Sequence, residues 1–435
     1  MVNTEHLKTI DKKHLWHPYA SIGNPPPVRF AVSARGTKIY LDDGTELIDA
    51  ISSWWTVALG HNPPEVVEAI KHQCDEMTHV MFAGFTHRPA AELAETLLDM
   101  LPSSLNKIFL ADSGSIAVEC AAKMAVQYQH ACGKPEKCKL AALKGGYHGD
   151  TTGAMALSDP DGMHILFRGL LPEHYFAKQP KCRFGEPWIE SDFDSMLSVL
   201  DTHGSSIAAV IVEPIFQAAN AMWMYHPEYL SRLETECNKR DILLICDEIA
   251  TGFGRTGRLF AHEHAGIVPD ILCLGKILTG GNVTLAAAVA SGIVADVISK
   301  GPVSDNEVTG SSSGAFMHGP TYMGNPVACA AASATLKLFR DFDWQGSVAR
   351  IEKELTEQLS PMAALPNVRD VRVLGAVGVL ELEQMPSADV VNTVIKETGV
   401  WLRPFSRFVY TMPPYITTSE EIRRITDAMG KIAGA

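Results

Sequence analysis

The stretch Asp270-Ile-Leu-Cys-Leu-Gly-Lys-Ile-Leu-Thr-Gly-Gly281 places one lysine, Lys276, directly after a short apolar run. The run at residues 271–274 predicts a strand buried on both faces, because no polar residue alternates within it. Burial lowers the pKa of a lysine at such a strand end, and its neutral amine is then a nucleophile. A solvated loop lysine would have the same sequence, so neighbouring motifs must decide between the two interpretations.

A second apolar run, at residues 242–246, leads directly into Asp247-Glu248. A carboxylate at one strand end and a lysine at the next are what a pyridoxal 5'-phosphate (PLP) enzyme needs. The lysine holds the aldehyde of the cofactor, and the carboxylate keeps the pyridine nitrogen protonated. We therefore predict that Asp247 and Lys276 are catalytic and that Glu248 turns away to hydrogen-bond the backbone.

Four more apolar runs, at residues 107–111, 139–143, 207–212 and 285–290, alternate with helical patterns. Together they predict an α/β fold with a mainly parallel central sheet covered by helices. Such sheets bind ligands at the carboxyl ends of their strands. The polar groups at those ends are Asp112-Ser-Gly-Ser115, Gly145-Gly-Tyr-His148, Glu213-Pro214, Asp247-Glu248 and Lys276. We place a single site there.

Composition narrows the class of protein. The chain has 435 residues, with 37 Lys plus Arg against 50 Asp plus Glu, and no basic block of a nucleic-acid binder. No apolar stretch suggests a membrane span, and the N-terminus does not resemble a signal peptide. Nine cysteines without a CxxC pair favour a reducing cytoplasm. The 16 histidines show no metal-ligand spacing, so we predict no metal site.

The pattern changes near both ends of the chain. Short strands joined by a hairpin at Asp42-Asp43-Gly44-Thr45 open the sequence, and strands and helices of an α+β type close it. We predict a large PLP-binding domain at residues 60–330. A smaller α+β domain is expected from residues 1–59 together with 331–435, because the N-terminal strands cannot be stable alone.

Several motifs have two interpretations. Gly114 and Ser115 precede a predicted helix, where they bind a phosphate or simply cap the helix. Tyr147, among glycines, stacks on a planar cofactor or packs in a turn. Thr321 offers a hydroxyl to a phosphate, or stands in an ordinary turn. The glycine-rich loop at residues 252–257 is predicted to present Arg255 near the site.

Two aromatic or basic motifs lie outside the predicted sheet. Trp54 and Trp55 form an apolar substrate slot or pack in the core. Arg403, in an Arg-Pro-Phe run, binds a carboxylate or forms a surface ion pair, and Tyr410 supplies a hydroxyl. A nicotinamide dehydrogenase is disfavoured, because no GxGxxG follows a strand with an acid downstream.

At this point the motifs resemble a known family. The run Cys246-Asp-Glu-Ile-Ala-Thr-Gly-Phe-Gly-Arg-Thr-Gly257, then Leu274-Gly-Lys276, is similar to the signature of class III (ω-type) aminotransferases, which are fold-type I PLP enzymes. The motifs that extend this resemblance along the chain are Leu15-Trp-His-Pro-Tyr19, Ser52-Ser-Trp-Trp55, Ala111-Asp-Ser-Gly-Ser115, Gly146-Tyr-His-Gly-Asp-Thr151, Phe316-Met-His-Gly-Pro-Thr321 and Trp401-Leu-Arg-Pro-Phe405.

The resemblance implies a role for each matching residue. Lys276 condenses with the cofactor and shuttles the proton, Asp247 pairs with the pyridine nitrogen, and Tyr19 joins them as a catalytic residue. The cofactor-binding residues implied are Gly114, Ser115, Tyr147, Asp247, Lys276, Pro320 and Thr321, the last two from the neighbouring subunit of a homodimer with sites at its interface. The substrate-binding residues implied are Tyr19, Trp54, Trp55, Tyr147, Lys276, Gly319, Arg403 and Tyr410.

The same motifs resemble the branch of this class that serves biotin biosynthesis. That branch takes its amino group from S-adenosylmethionine and gives it to 8-amino-7-oxononanoate. A class III enzyme with another amine donor or acceptor is the alternative, and a protein that kept the fold without catalysis is a third. Three departures bear on the donor: residues 217–223, where the family has a glycine-rich stretch, Asn282, and a Ser- and Gly-rich segment at 301–314 that we expect to be mobile.

Overall fold

The architecture comes from a computed structural model that describes residues 4–301 and 314–435. The segment at 301–314 that the sequence predicts to be mobile therefore lies almost entirely outside the described residues. Within the described residues, no helix is both long and apolar enough to cross a membrane.

A seven-stranded sheet forms the centre of the molecule. Its strands, in spatial order, are Leu105–Ala111, Ala286–Ser291, Ile271–Leu274, Leu243–Asp247, Ile207–Val212, Lys139–Leu143 and Tyr175–Ala177. The last five run parallel, and Ala286–Ser291 runs antiparallel to both neighbours. The mainly parallel sheet is thus confirmed, and four of its strands, Ile207–Val212, Leu243–Asp247, Ile271–Leu274 and Ala286–Ser291, are buried at every residue, as their apolar sequences predict.

Helices cover this sheet and also occur in the rest of the chain. Gly114–Ala131 packs a face of alanine, valine and cysteine onto the strands. The helices are Thr4–His14, Ser52–Trp55, Pro64–Glu76, Arg88–Leu98, Gly114–Ala131, Thr152–Leu157, Asp194–His203, Pro227–Lys239, Gly292–Lys300, Pro326–Asp341, Trp344–Leu359, Ala388–Thr398 and Ser419–Ala433. Short 3-10 turns lie at Ile165–Leu170, Glu190–Asp192, Ala261–Ala265, Lys276–Thr279 and Ser360–Ala364.

The two ends of the chain share a sheet. The hairpin predicted at residues 42–45 joins Lys38–Leu41 to Glu46–Asp49, and the C-terminal strand Val400–Trp401 pairs in parallel with Glu46–Asp49. The remaining strands are Ala31–Arg35, Phe216–Gln217, Trp223–Met224, Val368–Leu374, Val377–Leu382 and Phe408–Thr411. We propose that residues 1–59 and 331–435 form one small domain beside a large domain at 60–330, because this sheet joins both ends.

Candidate active site

Five strand ends converge on one cavity, as the sequence predicts. It has a volume of about 500 Å³, and we name it the Asp247 cavity. Its lining residues include Trp55, Ser113, Gly114, Ser115, Tyr147, His148, Glu213, Asp247, Lys276 and Thr284. The parallel register explains the convergence, since Asp247 lies level with Cys273, three residues before Lys276.

Lys276 begins the 3-10 turn Lys276–Thr279 in a left-handed backbone conformation, with φ of 47°. Its Nζ lies 5.0 Å from the centre of the Trp55 ring. Burial lowers the pKa of Lys276, and the nearby carboxylates of Asp247 and Glu213 oppose this only in part. The side chain is therefore a partly buried lysine in the wall of the Asp247 cavity, shifted toward its neutral, nucleophilic form.

Asp247 ends strand Leu243–Asp247 and is 3% exposed. Its Oδ2 lies 2.7 Å from Nδ1 of His148, and its Oδ1 accepts a hydrogen bond from the backbone N–H of Ile249. Sequence reasoning gave His148 no role, although it stands in the quoted Gly-Tyr-His-Gly run. Its position two residues after Gly146, at the end of a predicted strand, could have indicated that His148 belongs to the site.

Glu213 is a second buried carboxyl of the Asp247 cavity. It accepts hydrogen bonds from the backbone N–H groups of Tyr147 and Ala218, at 2.9 and 3.0 Å. Burial is the main cause that raises the pKa of Glu213 to about 7; His148 opposes the rise and the charge of Asp247 adds to it. Glu213 therefore anchors the loop that carries Tyr147.

The start of helix Gly114–Ala131 forms another wall. Ser113 caps it by accepting the N–H of Ile116. A Cβ added to Gly114 would meet the side chain of Ile249 at 3.0 Å, so glycine allows this close packing. Free N–H groups and the helix dipole make this corner suited to an anion, which supports the phosphate interpretation of Gly114 and Ser115.

A larger cavity of about 1060 Å³ lies next to the first, and we name it the Tyr19 cavity. Both cavities share Trp55, Tyr147 and Lys276. The other lining residues are Pro18, Tyr19, Trp54, Asp150, Met155, Met163, His164, Phe167, Ala219, Met222, Arg403, Pro404, Phe405, Ser406 and Tyr410. The walls are thus mostly aromatic and apolar, with one carboxylate and one guanidinium among them.

The carboxylate is Asp150, which sequence reasoning missed. Its Oδ2 accepts a hydrogen bond from the Tyr19 hydroxyl at 2.6 Å, and its Oδ1 lies 2.9 Å from Nε2 of His164. Burial by itself would raise the pKa of Asp150, but the hydrogen bonds from Tyr19, His164 and Tyr147 outweigh burial and lower it. Asp150 is therefore held as an anion facing the cavity.

Trp54 and Trp55 belong to a run of left-handed residues. Ser52, Ser53, Trp54 and Trp55 have φ of 48°, 42°, 68° and 77°. Such values are strained for residues other than glycine, and buried Asp49 holds the run by accepting from the N–H of Ile51 and the hydroxyl of Ser53. With this backbone conformation Trp55 lines both cavities and Trp54 lines the Tyr19 cavity.

Arg403 and Tyr410 complete the Tyr19 cavity. The guanidinium of Arg403 stacks on Trp54, with its carbon 4.3 Å from the ring centre. Tyr410 is buried and accepts a hydrogen bond from the indole N–H of Trp55 at 3.3 Å. Residues 4–301 and 314–435 contain no carboxylate within ion-pair distance of Arg403, so the interpretation as a surface ion pair is wrong.

Three predicted site residues lie elsewhere. Gly319, Pro320 and Thr321 line neither cavity of their own chain, and Gly319 and Thr321 are exposed. Their assignment to the site of a neighbouring subunit stays a prediction.

One expectation of the sequence, that the 252–257 loop presents Arg255 to the site, is wrong. Arg255 is fully buried away from both cavities, where it stacks on Tyr415 and donates to the carbonyls of Ala376 and Pro413. Glu248 behaves as predicted, because its carboxylate turns away and accepts the N–H groups of Ala261 and His262. In the described part of the chain, no group of histidine, cysteine and acidic residues has a metal-binding arrangement.

The residues of the Asp247 cavity fit PLP. A lysine with a lowered pKa would bind the aldehyde of PLP, and a buried carboxylate would pair with its pyridine nitrogen. A glycine-lined helix start would hold its phosphate. Tyr147 lies in the shared wall of the two cavities and stacks on His164; its packing on the cofactor ring stays a prediction.

Comparison with known proteins agrees with this geometry. The sequence matches the family Aminotransferase class-III over residues 19–433. It is 45% identical over 420 residues to the adenosylmethionine-8-amino-7-oxononanoate aminotransferase of Buchnera aphidicola subsp. Acyrthosiphon pisum, covering 96% of each chain. It is also 45% identical over 425 residues to the enzyme of the same name from Corynebacterium glutamicum, covering 97% of each.

Solved structures give the same answer. The adenosylmethionine-8-amino-7-oxononanoate aminotransferase of Methanocaldococcus jannaschii superposes with a TM-score of 0.89 at 30% identity, covering 99% of both chains. An amine transaminase from an uncultivated Pseudomonas species in its PLP-bound form has a TM-score of 0.88 at 30% identity, covering 97% of this chain and 98% of that one. The fold is thus the α/β fold of PLP-dependent transaminases, and the chain belongs to the class III aminotransferases, which use PLP as cofactor.

Proposed function

We propose that this aminotransferase moves the amino group of S-adenosylmethionine to 8-amino-7-oxononanoate, in biotin biosynthesis, and so forms 7,8-diaminononanoate. The observation that carries the proposal is the Tyr19 cavity, which leads to Lys276 and has Asp150 and Arg403 on its walls. Both substrates carry a cationic group and a carboxylate, which are joined to an adenosine through a sulfonium in the donor and lie on an aliphatic chain in the acceptor. The relatives at 45% identity bear the name of this reaction.

One site has to serve both half-reactions. In the first, the donor yields its amine and leaves as a 2-oxo acid. In the second, the ketone of the acceptor receives that amine and leaves as the diamine. PLP supplies the electron sink that stabilises negative charge when a substrate carbon loses its proton.

Lys276 is the proposed proton carrier. Its lowered pKa leaves the amine able to take a proton at Nζ, and the ring of Trp55 covers one side of that atom. Asp247 is proposed to keep the pyridine nitrogen protonated by pairing with it. His148 holds the Asp247 carboxylate in one orientation through the 2.7 Å contact.

The substrate residues act by position and charge. We propose that Arg403 binds the substrate carboxylate, with Trp54 holding its guanidinium flat. Tyr19, Trp54, Trp55, Tyr147, Tyr410 and Asp150 then cover the apolar body and the cationic group, since aromatic faces attract cations and also pack on methylenes.

We further propose a homodimer in which Gly319, Pro320 and Thr321 reach the site of the second copy. This segment packs beside residues 79–87, since the rings of His79 and Tyr322 lie 4.9 Å apart. The exposed apolar residues of this region are Met81, Phe85, Met317 and Tyr322. A patch of this kind favours contact with another protein surface. Nine free cysteines fit a cytoplasmic location.

The visible spectrum of the purified holoenzyme tests the proposal. The band of the lysine-bound cofactor should be lost when S-adenosylmethionine is added and return when 8-amino-7-oxononanoate follows. Lysine, alanine and putrescine serve as alternative donors. A response to one of these and not to S-adenosylmethionine would make the protein a class III aminotransferase of different donor specificity, and a colourless protein would contradict catalysis altogether.

A further inference from the structure

One wall of the Tyr19 cavity is strained. Ala219 and Met222 line the cavity, and Ala221 and Met222 adopt left-handed conformations with φ of 59° and 50°. Glycine takes these angles freely, whereas residues with a Cβ do so at a cost of about 1 kcal/mol or more each. The surroundings must therefore hold this segment in place.

Arg372, on the strand Val368–Leu374, holds this segment by a hydrogen bond. Its Nη2 donates to the carbonyl of Ala221 at 2.5 Å. Its Nη1 donates to the carboxylates of Asp370 and Glu381, at 2.5 and 2.8 Å. Because Arg372 is 6% exposed and two carboxylates fix its guanidinium, the donor that faces Ala221 has little freedom to move.

Trp223, the next residue after Met222, is packed against the same arginine. Its indole has the guanidinium of Arg183 5.2 Å and that of Arg372 5.7 Å from the ring centre. The indole N–H donates to the carbonyl of Pro180 at 2.7 Å, and Arg183 is itself paired with Asp370 at 2.7 Å. Ala221 and Trp223, on either side of Met222, are thus held by a single charged cluster.

On the other side, the segment that contains Ala221 and Met222 is held by close packing and a hydrogen bond. Asn220 lies so close to Gly145 that a Cβ added to that glycine would stand 1.9 Å from the Asn220 amide nitrogen. Gln217 donates to the carbonyl of Lys144 at 3.2 Å. The segment therefore has contacts on both sides, and Arg372 provides the charged one.

We propose that Arg372 is a positioning residue for amino transfer. By holding the Ala221 carbonyl, it fixes Ala219 and Met222 in the wall of the Tyr19 cavity and thereby sets substrate affinity. Arg372 itself lines neither cavity. The inference rests on the proposed function in one respect, that the Tyr19 cavity receives the substrates.

Arg372→Lys separates positioning from stability. The lysine keeps a cation beside Asp370 and Glu381, but one ammonium on a flexible stem does not reproduce the planar fork that also reaches Ala221. We expect the KM for both substrates to rise about tenfold, with kcat changed less than about twofold. The visible band of the cofactor should stay at the wild-type position, and the melting temperature should fall by only about 2–4 °C per lost hydrogen bond, because the lysine keeps the cation of the cluster.

Arg369→Lys is the matched control, because Arg369 also faces Glu381, at 3.7 Å, from an exposed position on the same strand. It should leave KM unchanged. If Arg372→Lys does not fold, Trp223→Leu tests the same cluster and should raise KM in the same way.

Two results overturn the inference: an unchanged KM in the folded variant, or a raised KM that comes with a lost cofactor band. KM is measured with whichever donor the wild type accepts. Failure of S-adenosylmethionine as donor therefore contradicts the proposed function and not the role of Arg372.

Discussion

Nδ1 of His148 lies 2.7 Å from Oδ2 of Asp247, and both side chains are buried at the end of a central strand. A carboxylate that faces a cofactor nitrogen works only in one orientation, and a hydrogen-bonded imidazole fixes that orientation. His148 therefore fixes one oxygen of the Asp247 carboxylate, while the backbone N–H of Ile249 fixes the other.

His148→Asn should lower kcat about tenfold to hundredfold, because a hydrogen bond to a charged group contributes about 1.5–3 kcal/mol. Steady-state kinetics and the visible spectrum check this. His262→Asn is the control, since His262 makes a similar contact with the buried carboxylate of Glu248, at 3.0 Å, away from both cavities. It should affect melting temperature more than kcat; equal losses of kcat in the two variants would contradict a specific role for His148.

Glu213 should make stability depend on pH. Its pKa is raised from the ordinary 4.5 to about 7, so the folded protein binds a proton that the unfolded chain releases between these values. The stabilisation is complete below pH 4.5 and is lost as the pH rises through 7. A difference of this size corresponds to about 3 kcal/mol.

The variant Glu213→Gln removes this titration while keeping the size of the side chain. Its melting temperature should gain on that of the wild type as the pH rises from 5 to about 8. If the melting temperatures of the two proteins change with pH in parallel over this range, Glu213 keeps an ordinary pKa.

Tyr19→Phe should act on Asp150. Loss of the 2.6 Å hydrogen bond removes one of the contacts that lower the pKa of Asp150, so that pKa should rise. The acid limb of the pH profile of kcat/KM should then move to higher pH, with a fall of about tenfold in kcat/KM at neutral pH. Because Tyr19 is 60% exposed, the melting temperature should not change. An unmoved acid limb would argue against Asp150 as the titrating group.

The central strands were predictable because their sequences are uninterrupted apolar runs. Ile207–Val212 and Ile271–Leu274 have the predicted bounds, and the strand that ends at Asp247 was displaced by one residue. The placement of Asp247 and Lys276 followed from the same pattern, since parallel strands bring their carboxyl ends to one edge of the sheet. The hydrophobic pattern was sufficient to predict those residues whose position is set by the sheet topology alone.

Side-chain partners far apart in sequence were not predictable. His148 meets Asp247 across 99 positions, and Tyr19 meets Asp150 across 131. Arg255 was expected at the site because it stands in a glycine-rich loop, but that loop turns under the strands near the C-terminus. No sequence period encodes these contacts, because they depend on how separate elements pack.

The measurement that tests the central claim most directly is reduction of the holoenzyme with borohydride, followed by proteolysis and mass spectrometry. The cofactor should be found attached to the peptide that carries Lys276. Lys276→Ala should show no such adduct and should lose amino transfer almost entirely. An adduct on another lysine, or undiminished turnover by Lys276→Ala, would contradict the account.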